Sequence, residues 1–240
     1  MASKTNVVLV HGAWADGSSW SKVITLLQNK GFNVTAVQVP LTSLEDDIVT
    51  TKNFLAAQKG PTVLVGHSYG GAVITGAANE APNVKALVYI AAFGLDEGES
   101  LEGLSNQGPA TAGSAQIRPD EHGFLWIDRD GFPAAFAADV DQVEARVMAA
   151  VQKPLSLKSF TTKSGPPAWK NLPSWYLVSS NDQMIPPQAE EFMAKRMGAT
   201  VRTVPSSHAS LVSRPKEVAE LITLAAESST ASAAAPGGTK

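Results

Sequence analysis

The stretch Val63–Gly71, VLVGHSYGG, ends a run of apolar residues abruptly at a serine that has glycines close on either side. The run is rich in β-branched residues, which indicates a strand, and the sequence after Ser68 has a helical pattern. Gly66, Ser68 and Gly70 fit G-x-S-x-G, in which a serine occupies a strained strand-to-helix turn that presents its hydroxyl above the sheet. Serine also caps helices, but the flanking strand and helix favour a nucleophile.

Short β-branched runs alternate with longer amphipathic segments along most of the chain. The predicted strands are Val7–Val10, Val34–Val39, Thr62–Val65, Ala86–Ala91, Trp175–Val178 and Thr200–Val204. The predicted helices of this pattern are Trp20–Lys30, Leu44–Lys59, Gly70–Glu80, Pro187–Met197 and Lys216–Glu227. Strands that are buried on both faces and joined by helices form a mostly parallel sheet. We therefore predict an α/β fold with a six-stranded, mostly parallel sheet flanked by helices.

The alternation is interrupted once, in a segment rich in Gly and Pro that has a helical pattern over Val140–Val151 but no strong strand. We predict that residues 94–172, called the lid segment below, form a small inserted lid. Residues 1–93 and 173–227 then form the core. Residues 228–240 are small and polar, and this composition predicts a disordered tail.

Composition excludes several classes of protein. The chain has 240 residues, 44% of them hydrophobic, which is enough for one core. The net charge of −3 and the lack of a basic block argue against a nucleic-acid partner. Cysteine is absent, so the chain has no disulfides or thiolate ligands. No apolar run is long enough to span a membrane, and the first residues lack the apolar region of a secretory signal, so we expect a cytoplasmic protein.

The serine hydroxyl needs a base that accepts its proton, and the base needs a partner that orients it. The chain has four histidines: His11, His67, His122 and His208. His208 follows the last predicted strand, which brings it to the same edge of the sheet as Ser68. His11 belongs to the loop after the first strand, His122 to the lid segment, and His67 is next to the serine, where its backbone direction disfavours a hydrogen bond to it. We therefore favour His208 as the base.

The acid is predicted to be Asp182, which directly follows the strand Trp175–Val178. Asp96, in the loop after Ala86–Ala91, is the alternative, because an acid can also reach the histidine from there. We favour Asp182 because it satisfies the chain order serine, acid, histidine with short loops. An aspartate at this place can also simply begin a turn.

Acyl transfer also needs hydrogen-bond donors for the oxyanion. The backbone N–H of Tyr69, the residue after the nucleophile, is one candidate. The second is the backbone N–H of Ala13 in the loop HGAWADG, residues 11–17, whose glycines allow an N–H to point inward.

The motifs LVHGAW, GHSYGG, SSNDQMIPP and SSHASLV, in this order and at these spacings, resemble the α/β-hydrolase superfamily. Within it they are similar to the small-cap branch that holds plant methylesterases, hydroxynitrile lyases and bacterial esterases. The similarity covers about residues 6–227 and is weakest in the lid segment. The resemblance implies Ser68 as nucleophile, His208 as base and Asp182 as acid, with the N–H groups of Ala13 and Tyr69 as the oxyanion hole.

These residues predict hydrolysis of a small-molecule carboxylic ester through an acyl-enzyme, with no cofactor and no metal, in a monomer or homodimer. A hydroxynitrile lyase, a perhydrolase, a cofactor-free oxygenase and a non-enzymatic ligand receptor are the alternatives on this scaffold. The resemblance implies that lyases of this branch assist the leaving cyanide with a side chain at the position of Ala209 or of Gly12. Neither residue can do so here, which argues against the lyase. Aromatic residues in and beside the lid segment either line a pocket or form a small core: Phe93, Phe124, Trp126, Phe132 and Phe136.

Overall fold

The structure, a computed structural model, describes residues 5–108 and 110–234. The strands of this part of the chain are β1 (Asn6–Val10), β2 (Asn33–Val37), β3 (Thr62–His67), β4 (Val84–Ile90), β5 (Ile117–Pro119), β6 (Phe124–Ile127), β7 (Leu155–Ser156), β8 (Ser174–Ser179) and β9 (Thr200–Val204). Its α-helices are α1 (Ser21–Asn29), α2 (Leu44–Ala57), α3 (Tyr69–Ala77), α4 (Leu101–Ser105), α5 (Phe132–Phe136), α6 (Gln142–Val151), α7 (Leu157–Thr161), α8 (Pro187–Arg196), α9 (Ser210–Ser213) and α10 (Pro215–Ala234).

The main sheet has six strands in the order β2-β1-β3-β4-β8-β9. Every neighbouring pair in it is parallel. All residues of the inner strands β1 and β3 are buried, whereas the edge strands β2 and β9 are partly exposed. This pattern is what a parallel sheet covered on both faces requires, and it confirms the predicted fold class.

Helices cover the sheet in two layers. Helices α1 and α10 pack on each other, and α10 also contacts β3, β4 and β8. Helices α2 and α3 pack together, with α3 against β1, β3 and β4. Apolar side chains of these helices fill the space above the strands, and those of Val23, Leu27, Leu55, Val73 and Ile222 are almost completely buried. This burial is the main stabilising contribution to the fold.

The strand order brings the candidate residues to one edge of the sheet. The chain runs from β1 to β2 on one side and then returns so that β3 pairs with the other side of β1. Ligands of open α/β sheets bind at the carboxyl ends of strands next to such a reversal. The loops after β1, β3, β8 and β9 therefore meet at this edge.

The lid segment contains more regular structure than its sequence predicts. Strands β5, β6 and β7 form a separate antiparallel sheet, and α4, α5, α6 and α7 lie in the same segment. The strands have only three, four and two residues, which is too short for an alternating pattern to be evident. The sequence predicted no strong strand here, and the described residues of the segment contribute none to the main sheet, but the small separate sheet was not predicted. The boundaries of the lid stay a prediction.

The lid segment is tied to the core at its beginning. Both terminal nitrogens of the Arg196 guanidinium, in α8, donate to the Glu99 carboxylate at 2.7 and 2.6 Å. Arg196 also donates to the Gly94 carbonyl at 2.6 Å. Bidentate pairs of this kind are among the stronger charge-assisted hydrogen bonds in proteins. They hold the first residues of the lid segment against α8.

The last helix extends further than predicted. Helix α10 ends at Ala234, so residues 228–234 of the predicted tail are helical. Residues 235–240 of that tail lie outside the described residues.

Candidate active site

Ser68 occupies a sharp turn between β3 and α3. Its φ of 53° and ψ of −124° are rarely adopted by a residue with a side chain, at a cost of about 1–3 kcal/mol. Backbone hydrogen bonds hold the turn: the Ser68 N–H donates to Ile90, and the Ser68 carbonyl accepts from Gly71 and Phe93. Ser68 thus ends its strand in a strained but fully hydrogen-bonded backbone.

The two glycines of the serine motif are required by close contacts between elements. A Cβ atom at Gly66 would lie 2.5 Å from the Gly70 carbonyl oxygen, and one at Gly70 would lie 2.5 Å from the Val10 carbonyl oxygen. Both distances are far below van der Waals contact. Helix α3 can therefore pass directly over β1 and β3 only because these positions have no side chain.

Ser68, His208 and Asp182 form one hydrogen-bonded chain. The Ser68 hydroxyl lies 2.8 Å from His208 Nε2, and His208 Nδ1 donates to Asp182 Oδ2 at 2.5 Å. Their exposed fractions are 3%, 0% and 2%. Since bulk water is excluded, the negative carboxylate interacts strongly with the imidazole. The three residues that the sequence selects are thus brought together.

The Asp182 carboxylate has further donors in its own loop. Its Oδ1 accepts hydrogen bonds from the backbone N–H groups of Met184 at 2.6 Å and Ile185 at 3.0 Å. These bonds fix the rotation of the carboxylate. Asp182 is therefore held from both sides, by its loop and by His208.

Asp96, the alternative acid, has different partners. Its carboxylate accepts from Lys170 Nζ at 2.6 Å and from the Glu97 N–H at 2.7 Å. These hydrogen bonds lower the pKa of Asp96, and Lys170 makes the largest contribution. Asp96 belongs to a partly exposed ion pair and makes no hydrogen bond to His208 among the described residues.

The other histidines support the backbone or lie at the surface. His67 Nε2 donates to the His208 carbonyl at 2.9 Å, and burial together with neighbouring His208 holds the pKa of His67 well below its ordinary value. His11 Nδ1 donates to the Gly12 carbonyl at 2.9 Å, and its Nε2 accepts from the Val39 N–H at 3.1 Å. His122 is exposed.

The two predicted oxyanion donors belong to the loop after β1 and to the first residue of α3. Ala13 and Tyr69 both line the same cavity as Ser68. The Tyr69 N–H is the first of α3, where N–H groups have no acceptor within the helix. Within the described part of the chain, the Ala13 N–H donates to no protein acceptor. The His11 bond to the Gly12 carbonyl fixes the peptide plane that contains this N–H.

The lid segment holds the His208 loop. The Ala209 N–H donates to the Phe136 carbonyl at 3.0 Å, and the N–H and hydroxyl of Ser207 donate to Asp139 Oδ1 at 3.1 and 2.5 Å. The Phe136 ring meets the His208 imidazole edge-on, with 4.8 Å between ring centres. The imidazole is therefore enclosed by the lid segment as well as by the core.

A cavity of about 340 Å³ opens above Ser68. Apolar side chains that line it include Ala13, Trp14, Phe93, Leu101, Ile117, Leu125, Leu155, Leu157, Phe160, Met184 and Ile185. Among its described lining residues only Glu102 carries a charge. A pocket of this kind favours a neutral, apolar ligand.

A second cavity, of about 460 Å³, adjoins the first. The residues that line both are Phe93, Ser105, Gly108, Ala110, Ser114, Met184 and Ile185. Its further lining includes Leu104, Phe192 and Met193, and none of its described lining residues carries a charge. A ligand that reaches Ser68 can thus extend into a second apolar space.

Of the aromatic residues singled out in the sequence, Phe93 alone lines the Ser68 cavity within the described part of the chain. Phe132 and Phe136 stack on each other and are buried, and the Trp126 indole donates to Asp120. The sequence reasoning missed Trp14, although its loop was selected. The Trp14 indole donates to the Leu125 carbonyl in β6 at 2.8 Å, which links the oxyanion loop to the lid segment.

Two searches of the described residues gave negative results. Within residues 5–108 and 110–234, no group of three or more His, Asp or Glu side chains is arranged to hold a metal ion. Within the same residues, each helix is too short or too polar to cross a lipid bilayer.

Comparison with known proteins identifies the class. The model of the alpha/beta hydrolase family matches residues 7–221, so the chain belongs to that family. The resemblance drawn from the four motifs is thereby confirmed.

The chain is also similar to individual known proteins. It is 25% identical to a pyrethroid hydrolase of Sphingobium wenxiniae, over 91% of this chain and 86% of that protein. It is 28% identical to putative methylesterase 13, chloroplastic, of Arabidopsis thaliana, over 90% of this chain but 54% of that longer protein. The crystal structure of a pyrethroid hydrolase from Sphingobium faniae has the same fold, with a TM-score of 0.81, 24% identity and coverage of 94% and 98% of the two chains.

Proposed function

We propose that this protein is a carboxylic ester hydrolase in which Ser68 is the nucleophile, His208 the general base and Asp182 the acid that orients the histidine. The observation that carries the proposal is the buried hydrogen-bonded chain from Asp182 through His208 to Ser68, next to an apolar cavity. The relatives named as a hydrolase and a methylesterase support the same reaction class.

In the first half of the reaction, the Ser68 hydroxyl oxygen attacks the ester carbonyl carbon while His208 Nε2 accepts the hydroxyl proton. The imidazole becomes a cation, and the Asp182 carboxylate stabilises it through Nδ1–H. The carbonyl oxygen becomes an oxyanion, which accepts hydrogen bonds from the N–H groups of Ala13 and Tyr69. These donors are preorganised, so the transition state is stabilised without rearrangement of the protein.

The tetrahedral intermediate then collapses. The bond to the alcohol oxygen breaks, His208 donates its proton to that oxygen, and an acyl group remains on Ser68. In the second half, His208 deprotonates a water molecule that attacks the acyl carbon. The bond to the Ser68 oxygen breaks, the serine regains a proton from His208, and the carboxylic acid leaves. No cofactor enters either half.

The substrate is proposed to be a small, uncharged ester. The cavity above Ser68 is mostly apolar, and a charged ligand would lose its hydration there without gaining an opposite charge. The second cavity provides space for one larger apolar substituent. The cytoplasmic location and the monomeric or homodimeric state stay predictions.

The sequence argument against cyanohydrin cleavage also has a steric basis. A Cβ atom at Gly12 would lie 2.7 Å from Ser68 Cβ and 3.0 Å from the His67 carbonyl oxygen. A side chain that assists cyanide departure therefore has no room at this position. At Ala209 the side chain is a buried methyl group, which cannot assist an anion.

The proposal is tested by assaying the purified protein on p-nitrophenyl acetate and on racemic mandelonitrile in parallel. We expect ester turnover that is lost in Ser68→Ala, and no cyanide release above the buffer background. Rapid cyanide release with negligible ester turnover would establish a lyase instead. A serine-directed organophosphonate should label the wild-type protein at Ser68, whereas a receptor without a working triad would stay unlabelled.

A further inference from the structure

Glu190 is a buried acidic residue without a role in the reaction proposed above. It lies in the first turn of α8, and its exposed fraction is 0%. Its Oε2 accepts a hydrogen bond from the Ser179 N–H at 3.1 Å. Its Oε1 is also buried and meets no donor among the described residues. The Asp182 carboxyl group is a direct neighbour that interacts with Glu190 both through its charge and through a side-chain hydrogen bond.

Two carboxyl groups in buried contact cannot both be ionised at a tolerable cost, so one of them keeps a proton. Asp182 accepts from Met184 and Ile185 at Oδ1 and from His208 at Oδ2, so both of its oxygens already have donors. Among the described residues, Glu190 accepts only from Ser179. The shared proton therefore belongs to Glu190, and Oε1 is the oxygen left to carry it.

Electrostatics agree with this assignment. Burial is the largest cause that raises the pKa of Glu190 well above its ordinary value, and the negative charge of Asp182 is the next. The other titratable groups near Glu190 are Tyr176 in β8 and Glu191 in α8. The Tyr176 hydroxyl donates to the Ala92 carbonyl. Neither group places a cation beside Glu190 that would favour its ionisation.

We propose that Glu190 is a positioning residue: its neutral carboxyl group donates a hydrogen bond to the Asp182 carboxylate and fixes that carboxylate against His208. This inference rests on the proposed ester hydrolysis. A helix residue thus supports the acid loop, because α8 begins directly after this loop and its first turn faces back toward Asp182.

The hydrogen bond is tested by two substitutions and a control. Glu190→Gln keeps a donor toward Asp182 and an acceptor for Ser179, so we expect kcat within about threefold of wild type. Glu190→Leu has a similar volume but no donor, and loss of a hydrogen bond to a charged group should lower kcat about tenfold to a hundredfold with KM nearly unchanged. Glu191→Leu, at the exposed neighbouring position, is the matched control and should behave like wild type.

The pH profile distinguishes positioning from a merely structural role. Without its donor, the Asp182 carboxylate attracts the protonated imidazole more strongly, so Glu190→Leu should shift the acidic midpoint of kcat/KM to higher pH. Glu190→Gln should leave this midpoint in place. The proposal is overturned if Glu190→Leu retains kcat within threefold, or if Glu190→Gln loses as much as Glu190→Leu.

A measurement independent of turnover covers the case in which Glu190→Leu does not fold. The infrared difference spectrum of wild type minus Glu190→Gln at pH 7 should contain the band of a protonated carboxyl group. Its absence would show that Glu190 is ionised and would overturn the proposal. Failure of the proposed function is recognised separately, because wild type would then neither turn over esters nor react with the organophosphonate.

Discussion

The carboxyl edge of the main sheet and the lid segment differ in what they contribute to the site. Loops at the edge hold Ala13, Ser68, Asp182 and His208, all next to strands whose pairing is fixed by the sheet. The lid segment holds none of these groups. It provides much of the apolar wall and the contacts that enclose the His208 loop.

The core edge therefore provides the reacting groups, and the lid segment determines the shape of the cavity. Groups at strand ends are positioned by backbone hydrogen bonds that run through the whole sheet, so small changes in the lid segment should not displace Ser68 or Asp182. The lid segment should instead determine which ligand fits and how firmly His208 is held. Substitutions in the two regions should therefore have effects of very different size.

The largest effect is expected at the core edge, from Ser68→Ala. The nucleophile is lost while almost no volume is removed, so kcat for an ester should fall by about 10⁵-fold to 10⁶-fold with little change in Tm. Initial rates and a thermal melt measure both. More than about a thousandth of the wild-type rate in the variant would mean that another group carries out the attack.

The next effect compares the two candidate acids, one in each region. Asp182→Asn should lower kcat by about 10³-fold to 10⁴-fold, because an amide cannot stabilise the imidazolium. Asp96→Asn, at the start of the lid segment, should change kcat only a few-fold, because Asp96 pairs with Lys170. Steady-state kinetics of both variants decide the matter. If Asp96→Asn had the larger effect, the acid would lie in the lid segment, and the reacting groups would not all come from the core edge.

A smaller effect tests the lid segment directly. Asp139→Ala removes the acceptor for the N–H and hydroxyl of Ser207. The His208 loop should then be held less firmly, and kcat should fall about threefold to tenfold, the usual size for one or two partly buried hydrogen bonds. Asp130→Ala, also exposed in the lid segment, is the control and should keep the wild-type kcat. An equal loss in both variants would point to a general loosening of the lid.

The core edge was predictable because it follows strong local rules. Gly66 and Gly70 are demanded by backbone contacts that nothing but glycine tolerates, so the serine turn is evident in the sequence. His208 and Asp182 follow strands, and parallel strands bring their carboxyl ends together. The three residues selected in this way, Ser68, Asp182 and His208, form one hydrogen-bonded chain in the structure.

The rest depends on contacts between residues far apart in sequence. Phe160 lines the cavity, yet nothing near it in the sequence distinguishes it from Phe132, which is buried in the lid segment itself. Glu190 reads as an ordinary helix glutamate, because only the tertiary fold brings it against Asp182. Strands β5 to β7 are stabilised by pairing with one another rather than by their own short patterns.

A group of polar residues, His11, Asp47 and Lys153, also joins the core edge and the lid segment. Lys153, from the lid segment, donates to the Val39 carbonyl at 2.5 Å. Burial, with a smaller contribution from Lys153, lowers the pKa of His11 to about 4. Burial also raises the pKa of Asp47 to about 6, although its hydrogen bonds with Tyr69 and Leu41 oppose this shift.

These two groups should affect the pH dependence of stability in opposite directions. His11 binds its proton more weakly in the folded than in the unfolded chain, so its contribution to stability is lost as pH falls from about 6.5 toward 4. Asp47 binds its proton more strongly in the folded chain, so its contribution is lost as pH rises from about 3.8 through 6. On acidification, Asp47 therefore offsets much of the loss caused by His11.

An effect on stability rather than on turnover isolates this compensation through Asp47→Asn. The variant cannot take up the proton, so its free energy of unfolding should fall between pH 7 and pH 4.5 by about 2 kcal/mol more than that of wild type. Urea unfolding at both pH values measures the difference, and Glu45→Gln, an exposed position on the same helix, is the control that should follow wild type. If Asp47→Asn and wild type lose equal stability, Asp47 does not take up a proton in the folded protein over this pH range. The pH dependence of stability would then not depend on Asp47.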